Sequence, residues 1–155
     1  MTLDEFDIKL LIEIQQDATL SQIELGKRVS LSSAAVNRRL KRLNDEGVIK
    51  KTIAVIEPAA MGHPLTIIAE VEVESERIDL LDAMKQSFAA CPQVQQCYYV
   101  AGEWDFVLIF AVRSMQQYTD LTRELFFENN NVKRFKTLVS MSTVKLGLNI
   151  PLGVE

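Results

Sequence analysis

The chain has 155 residues, 48% of them hydrophobic and 25% charged, with a formal net charge of −4. That is the balance of a folded protein of one ordinary domain or two small ones, and it excludes a disordered or fibrous chain. The overall acidity counts against a nucleic-acid partner, because backbone phosphates reward a basic surface.

Other classes fall on the same ground. No apolar run approaches the ~20 residues that span a bilayer, and Met1–Glu5 carries neither a basic nor an apolar leader region. Two cysteines (Cys91, Cys97) and one histidine (His63) give little material for a disulfide framework, a zinc site or a histidine triad. The expectation is a cytoplasmic protein with reduced thiols, no metal and no cofactor.

The first fifty residues read as three helices. Thr2 or Asp4 can cap the first, which runs to about Gln16 with a stripe of Ile8, Leu11, Ile12 and Gln15. Ser21-Gln22-Ile23-Glu24 is a capping box that opens a short second helix with Ile23, Leu25 and Val29 inward. After Ser30-Leu31, Ser32 can cap a third helix reaching about Asp45, with Val36, Leu40 and Leu43 inward and Gly47 suited to a left-handed end.

From Val48 the period changes from 3.6 to 2. Val48–Ile56 reads as a strand or wing, broken by Pro58 and Gly62-His63-Pro64. Thr66–Glu74 alternates as a half-wet strand, and Ile78–Ala90 is amphipathic through Ile78, Leu81, Met84, Lys85 and Phe88. Val94–Val100 and Asp105–Val112 form a hairpin around Ala101–Trp104. Ser114 then caps a helix to about Phe127, and Val132–Val144 is a last strand. The order β-α-β-β-α-β is the ferredoxin-like split motif. The fold class is therefore α+β: a winged helix-turn-helix over 1–50, a linker over 51–64, and a ferredoxin-like domain over 65–155.

Two short helices joined by Ser30-Leu31 form a helix-turn-helix over Gln22–Lys41. Ser33, Ala34, Asn37, Arg38 and Lys41 point away from its buried seam. Small residues let the backbone approach a groove floor, while Asn37 suits adenine and Arg38 guanine. Ser32, Arg39, Arg42 and Lys27 are placed for phosphates. Charge agrees with this. Lys27–Lys51 holds eight basic residues against Asp45 and Glu46, a net +6 that leaves −10 for the rest. The competing reading is a solvated helix in a protein-interaction domain.

Leu3-Asp4-x-x-Asp7, Ser21-x-x-Glu24-Leu25, Val29-Ser30-Leu31-Ser32, Val36-x-x-Arg39-Leu40-x-x-Leu43 and Gly47-Val48-Ile49 resemble the DNA-binding domain of the Lrp/AsnC regulators. Pro58 with Gly62, Val100–Asp105, Val132 and Thr137 resemble its effector domain, so the likeness runs from about Leu3 to Lys145. The chain departs from the family at Gly26, where Ala is usual, at Ser30, which replaces the turn Gly, and at Lys51-Thr52, which replaces Gly-Tyr. The resemblance implies a DNA-binding transcription regulator that forms homodimers, often octamers, and responds to an amino acid.

A zwitterionic amino acid needs acceptors for its ammonium and donors for its carboxylate. Gly102 and Asp105 can supply both, the first by exposing backbone N–H groups and the second as an anion. Asp105 either meets the ammonium or only orders the turn. Trp104 can wall the site, and Thr137, Val139 and Ser140 match the family's ligand-facing strand. Such a lining favours leucine, methionine or another medium-sized apolar side chain. Two other functions compete: a haem-precursor decarboxylase of similar fold, and an amino-acid-sensing module without DNA binding.

Overall fold

The computed structural model describes residues 2–153. It divides into two compact units: one holds the chain through Val55 together with the chain from Lys145 onward, the other is Ile56–Val144.

Three helices build the first unit: α1 (Glu5–Gln16), α2 (Gln22–Val29) and α3 (Ser33–Asp45). Each begins at a side-chain cap. The Asp4 carboxylate accepts from Asp7 N–H, Ser21 Oγ from Glu24 N–H, and Ser32 Oγ from Ala35 N–H. Leu10, Leu25, Val29 and Val36 pack as one core. Two expected inward positions move. In α1 the buried stripe is Asp7-Leu10-Leu11 rather than Ile8-Leu11-Ile12, because a buried carboxylate takes a seam position. In α2, Ile23 is 62% exposed, since the helix turns Leu25, Gly26 and Val29 inward.

Gly26 is a packing residue rather than a weak point. A Cβ there would lie 2.4 Å from the Leu31 carbonyl oxygen, so only glycine lets the turn close on α2. Ser30 takes the left-handed conformation (φ 60°) that the turn demands, and Gly47 (φ 73°) ends α3.

The expected strand over Val48–Ile56 does not form. Residues 50–57 pair with no strand among the described residues, and Ile53, Val55 and Ile56 stay exposed. Period-2 alternation makes a strand only where a sheet edge is available to it. The C-terminal segment, expected within the second domain, belongs with the first unit because Gln15 holds it. Gln15 Nε2 donates to Ile150 O (3.3 Å), Ile150 N–H donates to Gln15 Oε1 (2.7 Å), and Asn149 Nδ2 donates to Gln15 O (3.2 Å). The last contact satisfies a carbonyl that the end of α1 leaves free.

In the second unit, a 3₁₀ turn (Pro58–Met61) precedes β1 (Leu65–Val73), α4 (Ile78–Ala90), β2 (Val94–Tyr99), β3 (Phe106–Val112), α5 (Met115–Thr122) and β4 (Val132–Val139). A π turn, Arg123–Phe127, completes the helix expected to reach Phe127, and β4 stops five residues short of the expected Val144. The sheet runs β2-β3-β1-β4 with every neighbour antiparallel, the ferredoxin-like order.

Alternation builds one core face. Ile67, Ala69, Val71 and Val73 meet Phe106, Leu108, Phe110 and Val112, and Leu81, Met84, Phe88, Tyr118 and Leu121 cover them. Phe88 packs edge-on to Phe106 (5.3 Å) and Phe126 (5.9 Å). Ile78, expected inward, is 77% exposed at the first turn of α4.

Candidate functional site

Helical geometry sorts the side chains of α3. A period of 3.6 places Val36, Arg39, Leu40 and Leu43 on one face and Ala34, Asn37, Arg38 and Lys41 on another. Val36 and Leu43 are fully buried. Ser33, Ala34, Asn37, Arg38 and Lys41 are exposed, and Arg38 and Lys41 form no ion pair among the described residues. Asn37 Oδ1 accepts from Gln22 Nε2 at 3.0 Å, which orients the amide against α2 and leaves the oxygen a second acceptor site.

Arg39 and Arg42 sit elsewhere than on that outward row. Arg39 Nη1 reaches Asp4 (2.7 Å) and Asp7 (2.8 Å), and Arg42 Nη2 reaches Asp7 (2.5 Å). Asp7 is 0% exposed and also accepts from Asp4 N–H at 3.1 Å. The Arg39 guanidinium lies 5.5 Å from the Phe6 ring and holds the Asp4 carboxyl below the usual carboxylate range. These two arginines, assigned to phosphates from sequence, are tied to α1 instead. Arg28 pairs with Glu13 (2.7 Å), whereas Ser32 Oγ accepts from Ala35 N–H as a cap and keeps its own O–H as a donor. The cations left unpaired between Lys27 and Lys51, among the described residues, are Lys27, Arg38, Lys41, Lys50 and Lys51.

The β2–β3 turn is the second candidate. Asp105 fixes it to β1: its N–H donates to Val71 O (2.9 Å), its Oδ2 accepts from Val73 N–H (2.8 Å), and its carbonyl accepts from Val100 N–H (2.8 Å). Gly102 is near-extended (φ 158°). Beside it lies an open depression of about 480 Å³ lined by Glu76, Tyr99, Val100, Ala101, Gly102 and Asp105. Trp104 lies outside that lining, with the Arg134 guanidinium 4.6 Å from its ring. Glu76 and Tyr99 were missed in the sequence. The β-α-β-β topology could have found them, since β1 ends at the same end of the sheet as the hairpin turn.

Thr137, Val139 and Ser140 lie apart from this depression. Phe106 stands opposite Val71, which pairs with Phe135, whereas Thr137 pairs with Ala69 and Val139 with Ile67. Val139 is thus four residues further along, ~13 Å at strand rise. Thr137 Oγ1 shares a 2.6 Å hydrogen bond with Tyr118, whose hydroxyl burial pushes up in pKa. Within one chain the turn and these three residues form two places.

Comparison with known proteins adds to this geometry. Residues 3–50 match a model of winged helix-turn-helix DNA-binding domains, and residues 66–150 match that of the Lrp/AsnC ligand binding domain. An HTH-type transcriptional regulator of Sinorhizobium fredii is 40% identical over 154 residues, covering 99% of this chain and 91% of its own. The leucine-responsive regulatory protein of Haemophilus influenzae is 32% identical, covering 92% and 86%. The crystal structure of a transcriptional regulator from Neisseria meningitidis in complex with L-methionine has a TM-score of 0.91 at 26% identity, covering 97% of each chain.

Proposed function

We propose how this chain, which belongs to the Lrp/AsnC family of transcriptional regulators, reads DNA and senses its effector. The regulator's α3 lies in the major groove of duplex DNA. Ser33 and Ala34 let the backbone approach, Arg38 reads a guanine edge, and Lys41 meets a phosphate. Asn37 reads adenine with both amide atoms, its Oδ1 keeping one lone pair for the base while Gln22 Nε2 holds the other. Arg39 and Arg42 hold α3 on α1. The observation that carries this reading is the outward row Ala34-Asn37-Arg38-Lys41, clear of every ion pair that anchors the helix.

The effector is an amino acid held at the β2–β3 turn. Asp105 and Glu76 offer carboxylates to its ammonium, and the backbone N–H groups of the turn face its carboxylate. The L-methionine bound by the Neisseria meningitidis protein makes methionine the first candidate, with leucine beside it. Thr137, Val139 and Ser140 reach such a ligand only from a second copy, so self-association completes the site in this reading.

Two measurements test it. After selection from a randomised duplex library, Arg38→Ala should cost about 1–3 kcal/mol on the selected site and relax preference at one base position. An unchanged selected sequence refutes the assignment of α3. Thermal unfolding against the twenty amino acids should reveal a stabilising ligand, worth about 2.7 kcal/mol at a hundredfold excess over Kd. Asp105→Ala should abolish that shift, and a retained shift places the pocket elsewhere.

A further inference from the structure

The hydrogen bond from Val73 N–H to Asp105 Oδ2 is what sets the carboxylate of the effector turn, and one side chain grips the neighbours of both its ends. Arg134 Nε donates to Glu72, next to Val73. Its Nη2 donates to Glu103 Oε1 at 3.3 Å, and its guanidinium stacks 4.6 Å from the Trp104 ring, next to Asp105. Arg134 therefore cross-links β4, the end of β1 and the tip of the hairpin. Only a planar guanidinium can donate along its edge and stack through its face at once.

We propose that Arg134 is a positioning residue of the effector turn, holding Glu103 and Trp104 so that Asp105 presents its carboxylate to a ligand in one fixed geometry. This rests on the reading of the β2–β3 turn as the effector site. The clamp is separable from the fold of the sheet. Lys133 Nζ also reaches Glu72, at 3.2 Å, so Glu72 keeps a cation when Arg134 is lost, whereas Glu103 and Trp104 lose their anchor. The buried core lies on the other face of β1, through Val71 and Val73.

Trp104 is the only tryptophan, so fluorescence of the full-length protein reports this turn directly. Arg134→Ala should make Trp104 about threefold more accessible to acrylamide, the population change that one exposed cation–π contact supports. Arg134→Lys keeps the charge but not the plane and should behave like the alanine variant, whereas Lys133→Ala should leave Trp104 as in the wild type. The amino acid that most stabilises the wild type in the panel of twenty should bind both Arg134 variants about threefold more weakly, with thermal midpoints of the free proteins nearly unchanged. Wild-type quenching in Arg134→Lys, or an effector affinity held within about twofold, overturns the proposal. If no amino acid stabilises the wild type, the effector reading fails, and the clamp is decided by Trp104 quenching alone.

Discussion

Replacing Asp7 by alanine should unfold the helical unit well before the sheet. The side chain is 0% exposed and accepts hydrogen bonds from Arg39, Arg42 and Asp4 N–H. Removing one member of a buried ion pair costs roughly 3–5 kcal/mol, chiefly by leaving its partner uncompensated. Here both partners have a way out, since the Arg39 and Arg42 side chains are 22% and 41% exposed and can turn toward water. That relief lowers the cost, while loss of the reciprocal cap with Asp4 restores about 1 kcal/mol of it. The expected loss is ~2–4 kcal/mol, or a urea midpoint lowered by about 1–3 M at ordinary m-values. Far-UV circular dichroism should show a first transition from α1, α2 and α3 that Trp104 fluorescence, in the other unit, does not share. Asp7→Ala combined with Arg39→Ala should show a coupling of about 1 kcal/mol or more. A midpoint shift under about 0.3 M, or additive single losses, would refute the view that Asp7 organises the unit.

Gly26→Ala should destabilise by ~1–3 kcal/mol, although the same change in a free helix gains ~1 kcal/mol, because the new methyl meets the Leu31 carbonyl at 2.4 Å. Ser30→Gly should do the reverse and raise stability by up to ~1 kcal/mol, since φ 60° strains a residue with a Cβ; both are read by chemical denaturation. The dependence of DNA affinity on KCl should be no steeper than about −4.5 per chain, the value for the five cations between Lys27 and Lys51 that have no ion pair among the described residues. A slope near −7 would mean that Arg28, Arg39 and Arg42 leave their carboxylates for phosphate. Arg134, then Lys133, hold the Glu72 carboxyl below the usual carboxylate range. Its contribution is therefore complete above the ordinary value and is lost as pH falls through the lowered one. Acrylamide access to Trp104 should stay flat from neutral pH to about 4.3 and rise only below it; a rise near pH 6 would place another group in control.

Much of this was legible in the sequence because it is encoded locally. Ser21, Ser32 and Ser114 cap the helices that their spacing announces, and the alternation of β1 and β3 gives both strands and their faces. What failed depends on partners that spacing alone does not reveal. Asp7 reads as a surface acid at a helix start until Arg39 and Arg42 are brought against it from 32 and 35 residues away. Gly26 reads as a poor helix former until the Leu31 carbonyl closes on it. Val48–Ile56 has the pattern of a strand, but pattern supplies no neighbour. At the β2–β3 turn, Asp105 stands out in the sequence, yet its bond to Val73 and the separation of Thr137 from the turn follow from sheet register, which alternation alone does not give.

The net charge of −4 misled because it adds residues that act on one another to residues that act on solvent. Four cations stand within five positions of α3, and successive residues on a helix are turned by about 100°. Arg38 and Lys41 therefore face away from the seam, while Arg39 and Arg42 face α1, where Asp4 and Asp7 meet them. The acids of α1 are not a debit against nucleic-acid binding. They fix how far α3 is rotated about its axis, and in the proposed docking that angle decides whether Asn37 and Arg38 or the Asp7-bound pair confronts a groove. Asp7, buried and 0% exposed, can touch no base, yet its removal should blunt discrimination between duplexes more than a change of any single free lysine. The free lysines contribute charge without direction, whereas Asp7 contributes direction.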